Sequence, residues 1–408
     1  MGLNLDTVKK LAGTRDLSGN DLALANSLES AMSSALSAAD YERIETPVLE
    51  RADLFARKSG GEINSSLYSF TDPGGVKVSL RPEFTSSVIR NLIESPQPGT
   101  GPHRRAYSGP VFRYGDGAFR QMTQVGAELV GAAEPSADAE ILGLALECVQ
   151  AAKIERYSFR IGHLGLMHET LRSFGLSEPV RMYVASNMER IADETRNLND
   201  LLDQAQASGL VTSGDRSVPM SDTNGTVQLD ETTRTLLRES IGVPIGRRSP
   251  EKILDRLMRK TRDATDPESF LNAVEISRNL AQLKGEAGAV VESARTALAD
   301  AGVNPTITQN LHSVMERLNG DGFPMDAVTV DLSFARGIAY YTGLVFEVQM
   351  NTNAGKAPIG GGGRYDGLVK SLGGVQDMPA LGFAFNIEQI IDALNDESKS
   401  SNLTAEKG

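Results

Sequence analysis

The sequence predicts a mixed α+β fold in which a sheet domain is interrupted by a mostly helical insertion. Three observations point there. Strand-like alternation clusters before residue 170 and returns after residue 320. The stretch between them has helical spacing, with proline and acid at helix starts. No internal repeat or low-complexity tract suggests another architecture. The expected division is a discontinuous core over 1–170 and 321–395, a helical insertion over 171–320 and a frayed polar tail over 396–408.

The elements follow in order. Residues 21–39 space Leu22, Ala25, Leu28, Ala31 and Leu36 as a helix. YERIETPVLE alternates as a strand, with Pro47 at an edge or end. SLYSFTDPGGVKVSLRPE reads as a hairpin turning at Asp72-Pro73-Gly74-Gly75. AYSGPVFRYGDGAFRQMTQVGAELVG reads as a second, turning at Gly115-Asp116-Gly117, and 137–152 returns to helix. In the insertion, the helical run 188–209 ends at Gly209. Ser249-Pro250-Glu251 and Asp266-Pro267-Glu268 each open a helix, and 213–226 is a polar loop. Then DAVTVDLSF, YYTGLVFEVQM and KAPIGGGGRYDGLV alternate as strands, and PALGFAFNIEQIIDAL passes from strand to helix.

The 408 residues are 40% hydrophobic and 23% charged, ordinary globular values that suit two or three subdomains. A net charge of −12 argues against tight nucleic-acid binding, which sets cations against phosphates. The single cysteine, Cys148, forbids an internal disulfide and fits a reducing, cytoplasmic setting. No run approaches the length of a membrane span and no signal peptide opens the chain. The four histidines, His103, His163, His168 and His312, show no metal-ligand spacing, so no metal is expected. There is no P-loop, dinucleotide fingerprint or nucleophile elbow.

The chemistry concentrates where ionisable groups interrupt apolar strands. Arg81 and Glu83 lie in SLRPEFT, and Arg113 lies in PVFRY. Gln124 and Glu128 lie on one strand face in TQVGAELVG. Arg336, Tyr340 and Tyr341 lie in FARGIAYYTGLVFEV. A lone buried charge costs several kcal/mol, so these groups either neutralise one another or line a polar pocket. Glutamates in a pocket suit an ammonium, and arginine suits a carboxylate. The glycine run 360–363 brings a backbone close to a ligand or to another strand.

Together these stretches resemble the class II aminoacyl-tRNA synthetases, and their histidyl branch in particular. YERIETPVLERADLFARKSGGE is similar to motif 1, and GPVFRY with FRQMTQVGAELVG to motif 2. LYSFTDPGGVKVSLRPEFT, ARGIAYYTGLVFE and GGGGRYDGLV resemble histidyl-branch motifs, and ALGFAF resembles the start of motif 3. The resemblance runs from about Gly13 to Leu394. It implies an antiparallel sheet flanked by helices, and a histidine pocket. In that pocket Glu83, Thr85 and Gln124 would hold the ammonium, and Arg336 would meet the carboxylate. Glu128 and Tyr341 would bond the imidazole nitrogens, with Tyr340 beside them and Tyr365 closing the pocket. Arg81, Arg113 and Arg120 would be residual phosphate contacts.

Departures from the synthetase pattern shape the functional expectation. Gln389 stands where motif 3 has an ATP-clamping arginine, and Asn386 where it has glycine. The glutamate two places after the motif 2 arginine is missing. The motif 2 loop is about three residues short. Ala339 replaces an aspartate, and 20 residues follow Glu388 where synthetases carry an anticodon-binding domain. This combination resembles the regulatory subunits of ATP phosphoribosyltransferase. It implies a non-catalytic, histidine-sensing protein with no cofactor. Such a protein would dimerise through its core, bind the short-form catalytic subunit and bind no tRNA. The alternative is a shortened histidyl-tRNA synthetase, or a paralogue that adenylates histidine.

Overall fold

A computed structural model describes residues 8–57, 66–95, 101–115, 119–212, 265–334 and 341–405. The chain divides into two compact units, Met1–Glu169 with Asn279–Gly408, and Thr170–Arg278. Among the described residues no helix is long and apolar enough to cross a membrane.

The first unit is built on a nine-stranded sheet. In chain order its strands are β1 (Glu42–Arg43), β5 (His103–Phe112), β6 (Gln121–Val130), β7 (Tyr157–His163), β8 (Lys284–Gly285), β9 (Val328–Asp331), β10 (Leu344–Thr352), β11 (Gly355–Arg364) and β12 (Ala380–Asn386). Their spatial order is β1-β5-β6-β12-β11-β10-β7-β9-β8. Only the β1–β5 and β7–β9 pairs are parallel. A small second sheet joins β2 (Leu49–Arg51), β3 (Ser69–Thr71) and β4 (Lys77–Leu80). Pro47 falls between β1 and β2, which fits the missing donor that keeps proline out of ladders. The β3–β4 turn is held by Asp72, whose side chain accepts from the Val76 N–H at 2.8 Å, and Gly75 supplies a φ of +80°.

Helices α1 (Gly19–Ala38), α3 (Thr85–Glu94) and α4 (Pro135–Ala151) cover the sheet, and a short α2 (Ala52–Ala56) follows β2. α1 buries Ala25, Leu28, Met32 and Leu36, spaced three and four apart. α4 opens on Pro135 and buries Ile141, Leu142, Ala145 and Cys148; burial pushes the Cys148 thiol pKa up. One core cluster joins Ile89 and Leu92 of α3 to Val130, Tyr341, Val345 and Tyr365. A second joins Phe84 and Val88 to Tyr107, Val111 and Met122.

The glycine run in β11 is explained by a neighbouring strand. A Cβ on Gly362 would fall 1.9 Å from the Gly382 carbonyl oxygen, and one on Gly360 would fall 2.5 Å from the Phe385 ring. The backbone is free of side chains there so that β11 can lie against β12.

After α5 (Leu164–Ser173) come α6 (Glu178–Ser186), α7 (Met188–Ala192), α8 (Leu198–Ala207) and α9 (Pro267–Ala281). The single helix expected over 188–209 is split. The Asp193 side chain takes the Thr195 N–H and hydroxyl, and Asn197 caps α8 by accepting from the Asn199 N–H. Gly209 does end α8, with φ +66°. Asp266 caps α9 by accepting from the Ser269 N–H at 2.9 Å. The 213–226 loop and the Ser249 helix start lie outside the described residues. Val180, Val184, Ile191, Leu201, Ala205, Phe270 and Val274 form the apolar interior of this unit.

Three expectations need correction. Helical texture extended the insertion to 320, but α10 (Ala287–Asp300) and α11 (Gln309–Gly320) belong to the first unit. α10 packs on β9 and α11 on α4, and amphipathic spacing does not say which layer a helix covers. The polar end continues as helix α12 (Ile387–Ala405), because polar residues without glycine or proline do not stop a helix. The strand expected over 340–350 starts at Leu344, and residues 335–340 lie outside the described residues.

Candidate functional site

The site forms around β6, which lies between β5 and β12. Gln124, Gly126 and Glu128 share one face of it. Their register partners are Asn386, Ala384 and Gly382 on β12, and Gly109, Tyr107 and Arg105 on β5. Glu128 is 1% exposed. The Tyr107 hydroxyl donates to its Oε1 at 3.1 Å, and the Tyr365 hydroxyl donates to its Oε2. Phenol-to-carboxylate bonds of this kind each contribute about 1.5–3 kcal/mol. The space they need comes from two glycines. A Cβ on Gly382 would lie 1.8 Å from Glu128 Oε2, and one on Gly126 would lie 2.7 Å from the Tyr107 hydroxyl. Tyr107 also stacks on Phe84, ring centroids 4.4 Å apart.

Glu83 sits just before α3 rather than in a strand. Its buried carboxylate accepts from the Ser86 N–H at 3.1 Å, and negative charge suits this helix end. Thr85 is the first residue of α3 and half-buried. Tyr341 and Tyr365 are buried in the same apolar cluster. Tyr365 follows Arg364, whose guanidinium grips Asp138 at 2.7 and 3.1 Å and reaches Asp366 at 3.3 Å. Asp366 accepts from the Ala380 N–H at 2.9 Å, which ties this segment to the start of β12.

On the far side of Gln124, three amides are bonded in series. Gln124 Nε2 donates to Asn386 Oδ1 at 3.2 Å, and Asn386 Nδ2 donates to Gln389 Oε1 at 2.8 Å. Glu388, between them, accepts from the Thr123 N–H at 2.7 Å and its hydroxyl at 3.2 Å. Burial pushes the Glu388 carboxyl above the usual carboxylate range, against the pull of Thr123 and Arg15.

The structure therefore brings Glu83, Thr85, Gln124, Glu128, Tyr341 and Tyr365 into one region of the first unit. Arg336, Tyr340 and Ala339 lie outside the described residues. The three arginines expected at phosphates make contacts within the protein. Arg81 is 3% exposed, donates to the carbonyls of Pro110 at 2.8 Å and Thr46 at 2.6 Å, and lies over the Phe84 ring. Burial draws its pKa down although Glu45 and Glu50 oppose. These contacts make Arg81 a structural latch between the strand ends. Arg113, beyond the end of β5, donates to the Pro82 carbonyl at 2.9 Å. Arg120 lies over the Tyr114 ring and reaches the Gly115 carbonyl at 3.4 Å. Residues 116–118 of the expected turn lie outside the described residues.

Sequence reading missed Tyr107 as a partner of Glu128. A signal was present: Tyr107 pairs with Gly126 across the hairpin, a bulky phenol facing a residue without a side chain. A separate polar groove of about 920 Å³ is lined by Tyr41, Arg104 and Glu140 among others, and by none of the expected site residues. There Arg104 holds Glu140 at 2.7 and 2.8 Å, and Tyr41 donates to it at 2.7 Å. Among the described residues no group of three or more His, Cys, Asp and Glu is placed to hold a metal.

The histidyl-tRNA synthetase family profile matches residues 13–240 and 243–390, most of the chain. The chain belongs to the histidyl-tRNA synthetase family. Among curated members, the histidine–tRNA ligase of Methanocaldococcus jannaschii is 29% identical over 398 residues, covering 96% of this chain and 78% of the ligase. That of Pyrococcus horikoshii is 29% identical over 390 residues, covering 95% and 75%. Solved structures share the fold. A Bacillus halodurans protein, described as an ATP phosphoribosyltransferase regulatory subunit/histidyl-tRNA synthetase, has a TM-score of 0.67 at 22% identity, covering 96% of this chain and 84% of its own. A histidine–tRNA ligase subunit of Alicyclobacillus acidocaldarius has 0.60 at 25%, covering 96% and 98%. The class II synthetase fold is as the motifs implied. The expectation of a non-catalytic protein is overturned, because the curated synthetase-family relatives that match nearly the whole chain are ligases, which are enzymes.

Proposed function

We propose that this chain is a histidine-activating enzyme of the histidyl-tRNA synthetase family. A histidine carboxylate oxygen attacks the α-phosphorus of ATP, the bond to the β-phosphate oxygen breaks, and pyrophosphate leaves as histidyl-adenylate forms. The observation that carries the reading is the caged Glu128. A buried carboxylate fixed by two phenols is an acceptor for an imidazole N–H. Glu83 and Gln124 supply acceptors for the ammonium, and Arg336 is assigned to the carboxylate. The relationship to ligases over nearly the whole chain supports the chemistry.

The test is histidine-dependent exchange of labelled pyrophosphate into ATP by the purified chain. Exchange with histidine and with no other amino acid is the expected result. The rate should be low, because Gln389 offers an amide where a guanidinium would neutralise phosphate charge. Absence of exchange at saturating histidine and ATP would overturn the reading.

A second reading is favoured by one observation, the Asn386–Gln389 hydrogen bond at the position of the ATP clamp. In it the same pocket senses histidine for an ATP phosphoribosyltransferase assembly. Its mark would be a phosphoribosyl-transfer rate that depends on this chain and responds to histidine.

A further inference from the structure

Asn386 and Gln389 are both departures from the synthetase pattern, and the structure joins them. Asn386 is 8% exposed and stands directly opposite Gln124 in the β12–β6 register. It accepts from Gln124 Nε2 through its oxygen, and donates to Gln389 Oε1 through its nitrogen. Each amide has one acceptor oxygen and one donor nitrogen, so every bond in such a series constrains the next. Gln124 spends its nitrogen on Asn386, which leaves its oxygen for another partner. At the other end Gln389 spends its oxygen, which leaves its nitrogen.

We infer that Asn386 is a positioning residue that locks Gln124 with its side-chain oxygen presented to the ammonium of the bound amino acid. The inference rests on the amino-acid pocket proposed above and adds a residue to it. The terminal torsion of a glutamine is broad and roughly two-fold, so an unrestrained Gln124 would present nitrogen as readily as oxygen. Nitrogen facing an ammonium sets donor against donor. In the relay that state requires Asn386 and Gln389 to turn over with Gln124, so the two bonds couple three rotations into one and remove rotamer freedom that binding would otherwise have to freeze. A glycine at 386 makes neither bond. The relay therefore does in this chain what a bare backbone at that position does not.

Calorimetric titration of the full chain tests this with two ligands, histidine and its des-amino analogue imidazole propionate. Asn386→Gly should weaken histidine about fivefold to tenfold and leave the des-amino analogue unchanged. Asn386→Asp keeps an acceptor for Gln124 Nε2, so histidine affinity should return at least to the parent value. Equal weakening of both ligands would mean general damage to the fold and would overturn the inference. So would parent-like histidine binding by Asn386→Gly, while leaving the pocket assignment standing. A parent chain that binds neither ligand would remove the pocket assignment and the role of Asn386 together.

Discussion

Glu128 is the residue whose burial most needs a reason. A carboxylate 1% exposed in mid-sheet is costly, and the cost is met by hydrogen bonds from Tyr107 and Tyr365. The sequence shows Glu128 and Gln124 on one strand face, because period two needs no tertiary information. It does not show Tyr107 beneath them, because cross-strand partners depend on register. Arg81 shows a different limit of side-chain patterns. An arginine among apolar residues reads as a ligand contact, yet its partners are two main-chain carbonyls, which no side-chain pattern reveals. Substituting Glu128→Gln keeps the shape but replaces one acceptor oxygen with a donor. Histidine affinity should fall at least about tenfold by calorimetry. An unchanged affinity would take Glu128 out of the pocket.

At the scale of elements, both hairpins and the strand-to-helix passage near residue 386 were legible, since turn residues and alternation are local signals. The allocation of helices to layers was not, as α10 and α11 show. Asp331 is an element-scale device, because it ties three strands at one end of the sheet. It ends β9, takes Arg160 of β7 at 2.9 Å and takes Lys284 of β8 at 3.0 Å. Burial works to raise its pKa, but hydrogen bonds from Ser333 and Lys284 and the charge of Arg160 hold it below the ordinary 3.8. A carboxyl depressed in the folded state stabilises it above the unfolded pKa and loses that contribution as pH falls through the folded value. Urea midpoints of the parent should therefore decline below about pH 4. Asp331→Asn should be less stable at pH 7, by about 1–3 kcal/mol, and should flatten the acid decline. An Asn variant with the parent's acid slope would show that other carboxylates set it. His163 is a different case: burial lowers its pKa, and its Nδ1 accepts from the Leu166 N–H at 2.9 Å. That bond places the proton of the neutral ring on Nε2, beside Asn310 Oδ1 at 2.9 Å.

The whole molecule spreads one sheet over both ends of the chain. Strand texture returns late in the sequence because the last strands complete this sheet. β12, β11 and β10 occupy the centre of the sheet and come from residues 344–386, while β6 and β7 come from before residue 164. A fragment ending at residue 169 would keep β5–β6 but leave one flank of β6 and both flanks of β7 without partners. Such a fragment should be insoluble when expressed alone and should recover when residues 279–408 are supplied with it. A soluble, monomeric fragment would show that the first strands do not depend on the last. The strand order also sets a schedule for synthesis. The ribosome delivers the borders of the sheet before its middle, at roughly 5–20 residues per second. For some ten seconds or more the growing chain therefore carries open strand flanks, a period in which a chaperone or a neighbouring nascent chain competes with β12 for β6.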